Sequence, residues 1–96
     1  MIKIVAKHTI KQDKINDFIA AFKPLIKDTT QTHRGCIRYE LFQGMDNPSI
    51  LTVIEEWENQ ASLNEHMETE LFRKTLESMK EYLDGPVELS RYQKVG

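Results

Sequence analysis

A single cysteine, Cys36, stands in the 96-residue sequence, so no internal disulfide can form and packing must hold the fold. That usage fits a reducing compartment, and a cytoplasmic location is the expectation. No apolar run comes near the ~20 residues that cross a bilayer. The first residues, MIKIVAKH, lack the apolar stretch of a secretory leader, and no membrane partner is expected. No charge of one sign dominates: 13 Lys and Arg face 15 Asp and Glu, for a net charge of −2. The basic residues are scattered among acids, which argues against nucleic acid as a partner. Glycine is scarce, with 4 in all, and none belongs to a Gly-rich loop for phosphate or a dinucleotide. The 3 histidines, His8, His33 and His66, are far apart and match neither H-x-H nor H-E-x-x-H spacing. Linkers, low-complexity tracts and internal repeats are absent too, so residues 1–96 read as one domain.

What the sequence does have is pattern. With 40% hydrophobic and 29% charged residues it resembles an ordinary globular chain with enough apolar surface for a core. The stretch TVIEEWENQASLNEH, Thr52 to His66, reads as a strand running straight into a helix. Ile50 to Ile54 is β-branched and apolar, which suits a pleated buried surface. Glu55, Trp57 and Glu58 follow at the strand end. Asn59 can cap the helix, because its side-chain oxygen can accept from an orphaned backbone N–H. His66 comes one turn after Leu63, on the same face.

The remaining elements follow from spacing. Ile2 to Ile10 alternates, with Ile2, Ile4, Ala6, His8 and Ile10 on one face. Asp13 can cap a helix whose stripe is Ile15, Phe18, Ile19, Phe22, Leu25 and Ile26, and Pro24 is expected to bend or break it. Cys36 to Gln43 reads as a strand, with Ile37, Tyr39 and Leu41 sharing one face. Gly44, Asp46, Asn47 and Pro48 then turn it into a hairpin. After His66 a break is expected near Thr69, followed by a stripe from Leu71 to Leu83 that Gly85 and Pro86 stop. Val87 to Val95 is the last strand.

The order β-α-β-β-α-β predicts an α+β, ferredoxin-like fold, with a four-stranded antiparallel sheet and two helices on one face. The third strand is apolar on both faces, which predicts a central position. Two helices leave the other sheet face open, and a second copy of the chain is the simplest cover, so a homodimer is expected.

The stretch GCIRYELFQGMDNPSILTVIEEWENQASLNEHMETELF resembles the antibiotic biosynthesis monooxygenase family, a quinol monooxygenase-like group of dimeric α/β barrels. The motifs are Gly35-Cys36, Tyr39-Glu40-Leu41, Glu55 with Trp57, and Ala61, Leu63 and His66. The resemblance implies a dimeric barrel, and a scaffold that hosts several chemistries. Some relatives oxidise phenols and quinols without metal or flavin. Others degrade haem with a helical His as iron ligand, but that place falls near Leu76 here, and Leu cannot bind iron. No flavin, haem, metal or other cofactor is therefore expected.

The expected function is a small cofactor-independent monooxygenase acting on an aromatic, phenolic or quinol-like molecule. A proton-transfer enzyme on a small carbonyl metabolite, and a non-catalytic dimeric ligand-binding or stress-response protein, are the alternatives. Cofactor-free oxygenation needs a base to make the substrate electron-rich, a hydrogen-bond donor for its oxyanion, and a dry pocket. His66 is the first candidate base and His8 the second. Tyr39 or Arg38 can supply hydrogen bonds, while Trp57, Phe72 and Met67 can wall an aromatic ligand. Plainer readings stand beside these. Trp57 also reads as core, His66 as a half-exposed helix residue, and His8 as a hydrogen-bonded strand residue. His33 reads as a solvated loop residue, and Cys36 as a small buried one. Glu55 and Glu58 point to opposite faces and form no carboxylate pair. Arg91 and Tyr92 are read as residues of a dimer contact.

Overall fold

The computed structural model of the protein describes residues 1–96. Its elements are β1 (Ile2–Thr9), α1 (Ile15–Thr32), β2 (Cys36–Gln43), β3 (Ile50–Trp57), α2 (Gln60–Glu68), α3 (Glu70–Met79) and β4 (Glu88–Gln93). Single 3-10 turns lie at Gln12–Lys14 and Lys80–Tyr82. The strands form one sheet in the order β2-β3-β1-β4, and every neighbouring pair is antiparallel. This is the ferredoxin-like α+β arrangement, with the second helix divided in two.

β3 lies inside the sheet, as its doubly apolar sequence requires. Leu51, Val53, Glu55 and Trp57 are buried toward the helices, while Ile50, Thr52, Ile54 and Glu56 are half-buried on the open face. β2 departs from simple alternation. Cys36 pairs with Trp57 and Arg38 with Glu56, so Ile37 is one residue too many in the ladder. Such a bulge shifts parity. Cys36, not Ile37, joins Tyr39 and Leu41 against the core, and Ile37 is exposed.

α1 presents Phe18, Phe22, Leu25 and Thr29 to the sheet. Asp13 does not cap it, because Asp13 lies in the preceding 3-10 turn. Pro24 does not break it. The residue sits on the exposed side, where one lost N–H bond is outweighed by the burial of Phe22 and Leu25 on either side. Asn59 does cap α2, its side chain accepting from Ser62 N–H at 2.9 Å. Thr69 ends α2 and caps α3 as well: its Oγ1 donates to the His66 carbonyl at 2.8 Å and accepts from Phe72 N–H at 3.2 Å. That one hydroxyl fixes the backbone on both sides of the joint.

Where β2 begins, Gly35 is clamped between β3 and α2. Glu58 N–H donates to its carbonyl at 2.9 Å. A Cβ at residue 35 would overlap the Oγ and Cβ of Ser62. Overpacking of this kind costs typically about 1–3 kcal/mol. Gly35→Ala is expected to lower unfolding free energy by about that amount. Adding Ser62→Gly should restore part of the loss. Denaturant unfolding of the single and double variants measures both, and a Gly35→Ala chain as stable as the parent would refute the clamp.

Candidate active site

Two histidines and one carboxylate are buried on the helix side of the sheet, at places dictated by strand and helix parity: His8 on β1, Glu55 on β3 and His66 on α2. Each had to lose water, and burial moves acids and bases in opposite directions.

His8 lies 5.3 Å from Phe18, ring centre to ring centre. Its Nδ1 is 3.1 Å from the Leu51 carbonyl. A carbonyl only accepts, so Nδ1 carries the proton, and the neutral ring keeps its lone pair on Nε2. Burial holds the pKa below the ordinary histidine value.

Glu55 lies between Ile4 and Tyr39 in the cross-strand row. Its Oε1 accepts from Trp57 Nε1 at 2.8 Å. Burial pushes its pKa up to about 6, against the indole bond, which favours the charged form. Tyr39 is also held well above the ordinary phenol range, by burial first and then by the Glu55 and Cys36 charges.

His66 is 1% exposed, not half-exposed. Phe72, Trp57 and Tyr39 surround its ring at 4.8, 4.9 and 5.1 Å. Neither nitrogen has a hydrogen-bond partner. Burial, with neighbouring His33 adding to it, pushes the pKa down to about 4. The imidazole is therefore neutral at pH 7 and a weak proton acceptor.

Two cavities open beside these groups. The larger, about 380 Å³, is lined by His8, Phe22, Tyr39, Glu55, Phe72, Leu76 and Leu89, among others. The smaller, about 270 Å³, is lined by Glu55, Leu63, His66, Met67, Phe72 and Leu89, with Gln60 and Arg91 also lining it. Glu55, Phe72 and Leu89 belong to both, so the two form one cleft between the sheet and the α2–α3 layer.

The cleft gathers most of the residues singled out from sequence. His8, Tyr39, His66, Met67 and Phe72 line it. Trp57 is fully buried behind it and lines neither cavity; it supports the Glu55 carboxylate and the His66 ring. Arg38 is on the open face, 3.3 Å from Glu40 and 3.9 Å from Glu56, and cannot hydrogen-bond a ligand in the cleft. The reason is parity: next to Tyr39 on the strand, Arg38 points the other way.

Three residues stand at the cleft or beside it that the sequence alone reads otherwise. Glu55 has no carboxylate partner in the sequence, but it shares a face with Leu51, Val53 and Trp57 and is buried with them. His33 is not a free loop residue. It ends α1, one turn after buried Thr29, with its ring 5.5 Å from His66 and Nε2 4.0 Å from Asp28. Arg91 lines the smaller cavity and donates to Gln60 at 2.6 Å. No three His, Cys, Asp or Glu side chains group as metal ligands.

Replacing His66 by Phe keeps a ring in the aromatic surround and removes two unpaired nitrogens. An unsatisfied buried polar group costs about 1–3 kcal/mol, so His66→Phe is expected to be more stable than the parent at pH 7. The pH dependence should change too. A depressed histidine pKa contributes stability above about 6.5 that is lost as pH falls through about 4. The parent should weaken across that window, and His66→Phe should weaken less. Urea unfolding at pH 7, 5.5 and 4.5 checks both; parallel curves would refute the burial of a neutral imidazole.

Comparison with known proteins agrees with this architecture. A conserved protein from Methanosarcina mazei Go1, known from its crystal structure, is 36% identical, with a TM-score of 0.92 over 98% of this chain and 92% of that one. A crystal structure of an antibiotic biosynthesis monooxygenase superposes at a TM-score of 0.91 with 25% identity, covering 100% of both chains. The Synechocystis sp. protein sll1783 is 27% identical over 92 residues, and the match takes in 96% of this chain but 62% of that protein's length. The family profile of the antibiotic biosynthesis monooxygenases matches residues 1–78, and the chain belongs to that family.

Proposed function

We propose that this chain is a monooxygenase that uses no cofactor of its own and acts on a small aromatic, phenolic or quinol-like molecule in the cleft. The observation that carries the reading is His66: an almost sealed imidazole, unpaired at both nitrogens, on the wall of an aromatic-rich cavity. A fold gains nothing from such a group, and its unmet hydrogen bonds suit a ligand that brings a hydroxyl or carbonyl oxygen. Family membership supports oxygen chemistry.

The overall change is SH2 + O2 → SO + H2O, so one oxygen atom enters the substrate and the other leaves as water with the substrate's two hydrogens. The substrate supplies all four electrons. The chain has to bind the ring, take a proton so that the substrate becomes electron-rich, and keep water out. Phe22, Phe72, Leu76 and Leu89 give the apolar walls. Neutral His66 and the free Nε2 of His8 give polar contacts to the substrate oxygens. The weakly basic His66 serves better as a hydrogen-bond partner than as a strong base.

The working unit we assign is a homodimer closed over the open sheet face. Phe42 and Tyr92 are 47% and 55% exposed there, beside half-buried Val5, Ile50 and Ile54. An apolar strip of this kind on a sheet face fits a second copy of the same surface. A reducing cytoplasm suits the free thiol of Cys36, which burial pushes up to about 11 and so keeps protonated.

Oxygen uptake across a panel of phenols and quinols tests the activity. His66→Phe is expected to lower turnover of an active compound at least about tenfold with the fold intact, the loss expected when a hydrogen bond to a substrate oxygen is removed. Proton exchange from solvent into a carbonyl substrate, with no oxygen consumed, would point to the proton-transfer alternative instead. Binding without either reaction would favour a ligand-binding protein.

Sedimentation at micromolar concentration should give twice the chain mass. Ile54→Arg, a charge in the middle of the open face, is expected to yield monomer. A parent chain that sediments as monomer would refute the interface.

A further inference from the structure

We infer that Glu55 is the proton acceptor of the cleft, taking the hydroxyl proton of a bound phenol or quinol on the carboxylate oxygen that Trp57 leaves free. The inference rests on the aromatic-substrate reading above and assigns a role to a residue which that reading does not use.

Position is the first argument. Glu55 lines both cavities, whereas His8 lines only the larger and His66 only the smaller. A ring bound in either cavity lies in a space that Glu55 lines. Orientation is the second. Oε1 is occupied by the Trp57 indole at 2.8 Å, which fixes the carboxylate plane. Oε2 is left for a ligand. The site also lies on the central strand, where β1 and β2 flank it on both sides and hold the backbone still.

Strength is the third. A useful base has a conjugate acid near the working pH, strong enough to take the proton yet still free of one. Burial brings Glu55 up to about 6, and sends His66 down to about 4. At pH 7 Glu55 is mostly ionised and is the stronger acceptor of the two. The step balances as it stands. The phenol O–H bond breaks, the proton moves to Oε2, and the electron pair stays on the phenolate oxygen. The net charge of the pair is −1 before and after, so an apolar cleft does not oppose the transfer as it would oppose making two new ions.

Other groups face Glu55 from the elements around it. They are His8 from β1, Cys36 and Tyr39 from β2, His66 from α2 and Arg91 from β4. His8 and His66 are kept neutral by burial, and Cys36 and Tyr39 stay protonated, all at pH 7. Arg91 is the one cation among them, and it is tied to Gln60 at the cavity edge.

The test uses 4-methylphenol as the probe and calorimetry as the readout, with parent and Glu55→Gln compared from pH 5 to 8. Glutamine keeps an oxygen for the Trp57 indole, so the fold is retained. In the parent, affinity should rise about tenfold as pH passes through about 6 and Glu55 ionises. In Glu55→Gln, affinity should be flat with pH and about tenfold weaker at pH 7. Trp57, the only tryptophan, adds a readout that needs no ligand: its emission should titrate near pH 6 in the parent and not in Glu55→Gln. If Glu55→Gln binds as tightly as the parent with the same pH limb, Glu55 is not the acceptor, and the aromatic reading stands without it. If the parent does not bind 4-methylphenol at all, the aromatic reading falls and takes this assignment with it.

Discussion

The hydrogen bond from the Trp57 indole to the Glu55 carboxylate is the contact on which the interior depends. β3 is held on both edges, so its parity cannot slip without turning the whole row Leu51, Val53, Glu55, Trp57 out of the core. Residue 55 is therefore delivered to the interior whatever its type. A carboxylate there must be bonded or neutralised. Trp57 lies two residues on, on the same face, and its N–H would be unpaired in the core without an acceptor. Each group answers the other's need at 2.8 Å. The same indole ring then forms one wall around His66, and the same carboxylate lines both cavities.

From that row the two faces of the sheet divide. On the helix side, alternation places His8 beside Phe18 and Tyr39 opposite Glu55, within a continuous core. On the other side lies a run of charges from Lys3 through Glu56 to Arg38 and Glu40, set among half-buried aliphatic residues. These ion pairs are at least partly exposed and contribute little to stability. Their charges are balanced, however, so a second surface of the same kind can meet them without net repulsion. The cleft and the open face thus draw on separate residues, and a change in one need not disturb the other.

Much of this was legible in the sequence, for a reason that is specific to each element. β3 and the Gly44–Pro48 hairpin showed because β-branched runs and turn residues coincide there. Asn59 and the break at Thr69 showed because capping chemistry is local. What was hidden is what depends on distance in sequence or on irregular backbone. The bulge at Ile37 exchanges the roles of Cys36 and Ile37, and no composition signal announces it. Pro24 stayed in a helix because tertiary burial overrides one lost hydrogen bond. Glu55 was readable by parity alone, since it follows Leu51 and Val53 at intervals of two. Its partner is an indole and not a second carboxylate, and no carboxylate spacing in the sequence points to that pairing. His66 was legible as a pocket residue, but its depth of burial was not, because Tyr39, Trp57 and Phe72 come from three separate elements.

Burial in the cleft also separates the protonation states of its ionisable groups. Withdrawal of water penalises charge, so it raises an acid and lowers a base. Glu55 and His66 begin about two pKa units apart, with the histidine the stronger base. In the cleft the order is reversed, with Glu55 near 6 and His66 near 4. Desolvation is the largest cause of both shifts, and His33 adds to that of His66. Above about pH 6 the cleft then holds one negative charge between two neutral imidazoles. Glu55 is then more basic than His66, and burial weakens both neighbouring imidazoles as competitors for a proton. The unmet hydrogen bonds of His66 and the strained ionisation of Glu55 both cost stability, and both would be relieved by a ligand that brings a hydroxyl group. The penalty the fold carries and the ligand chemistry the cleft can support are thus two consequences of the same missing water.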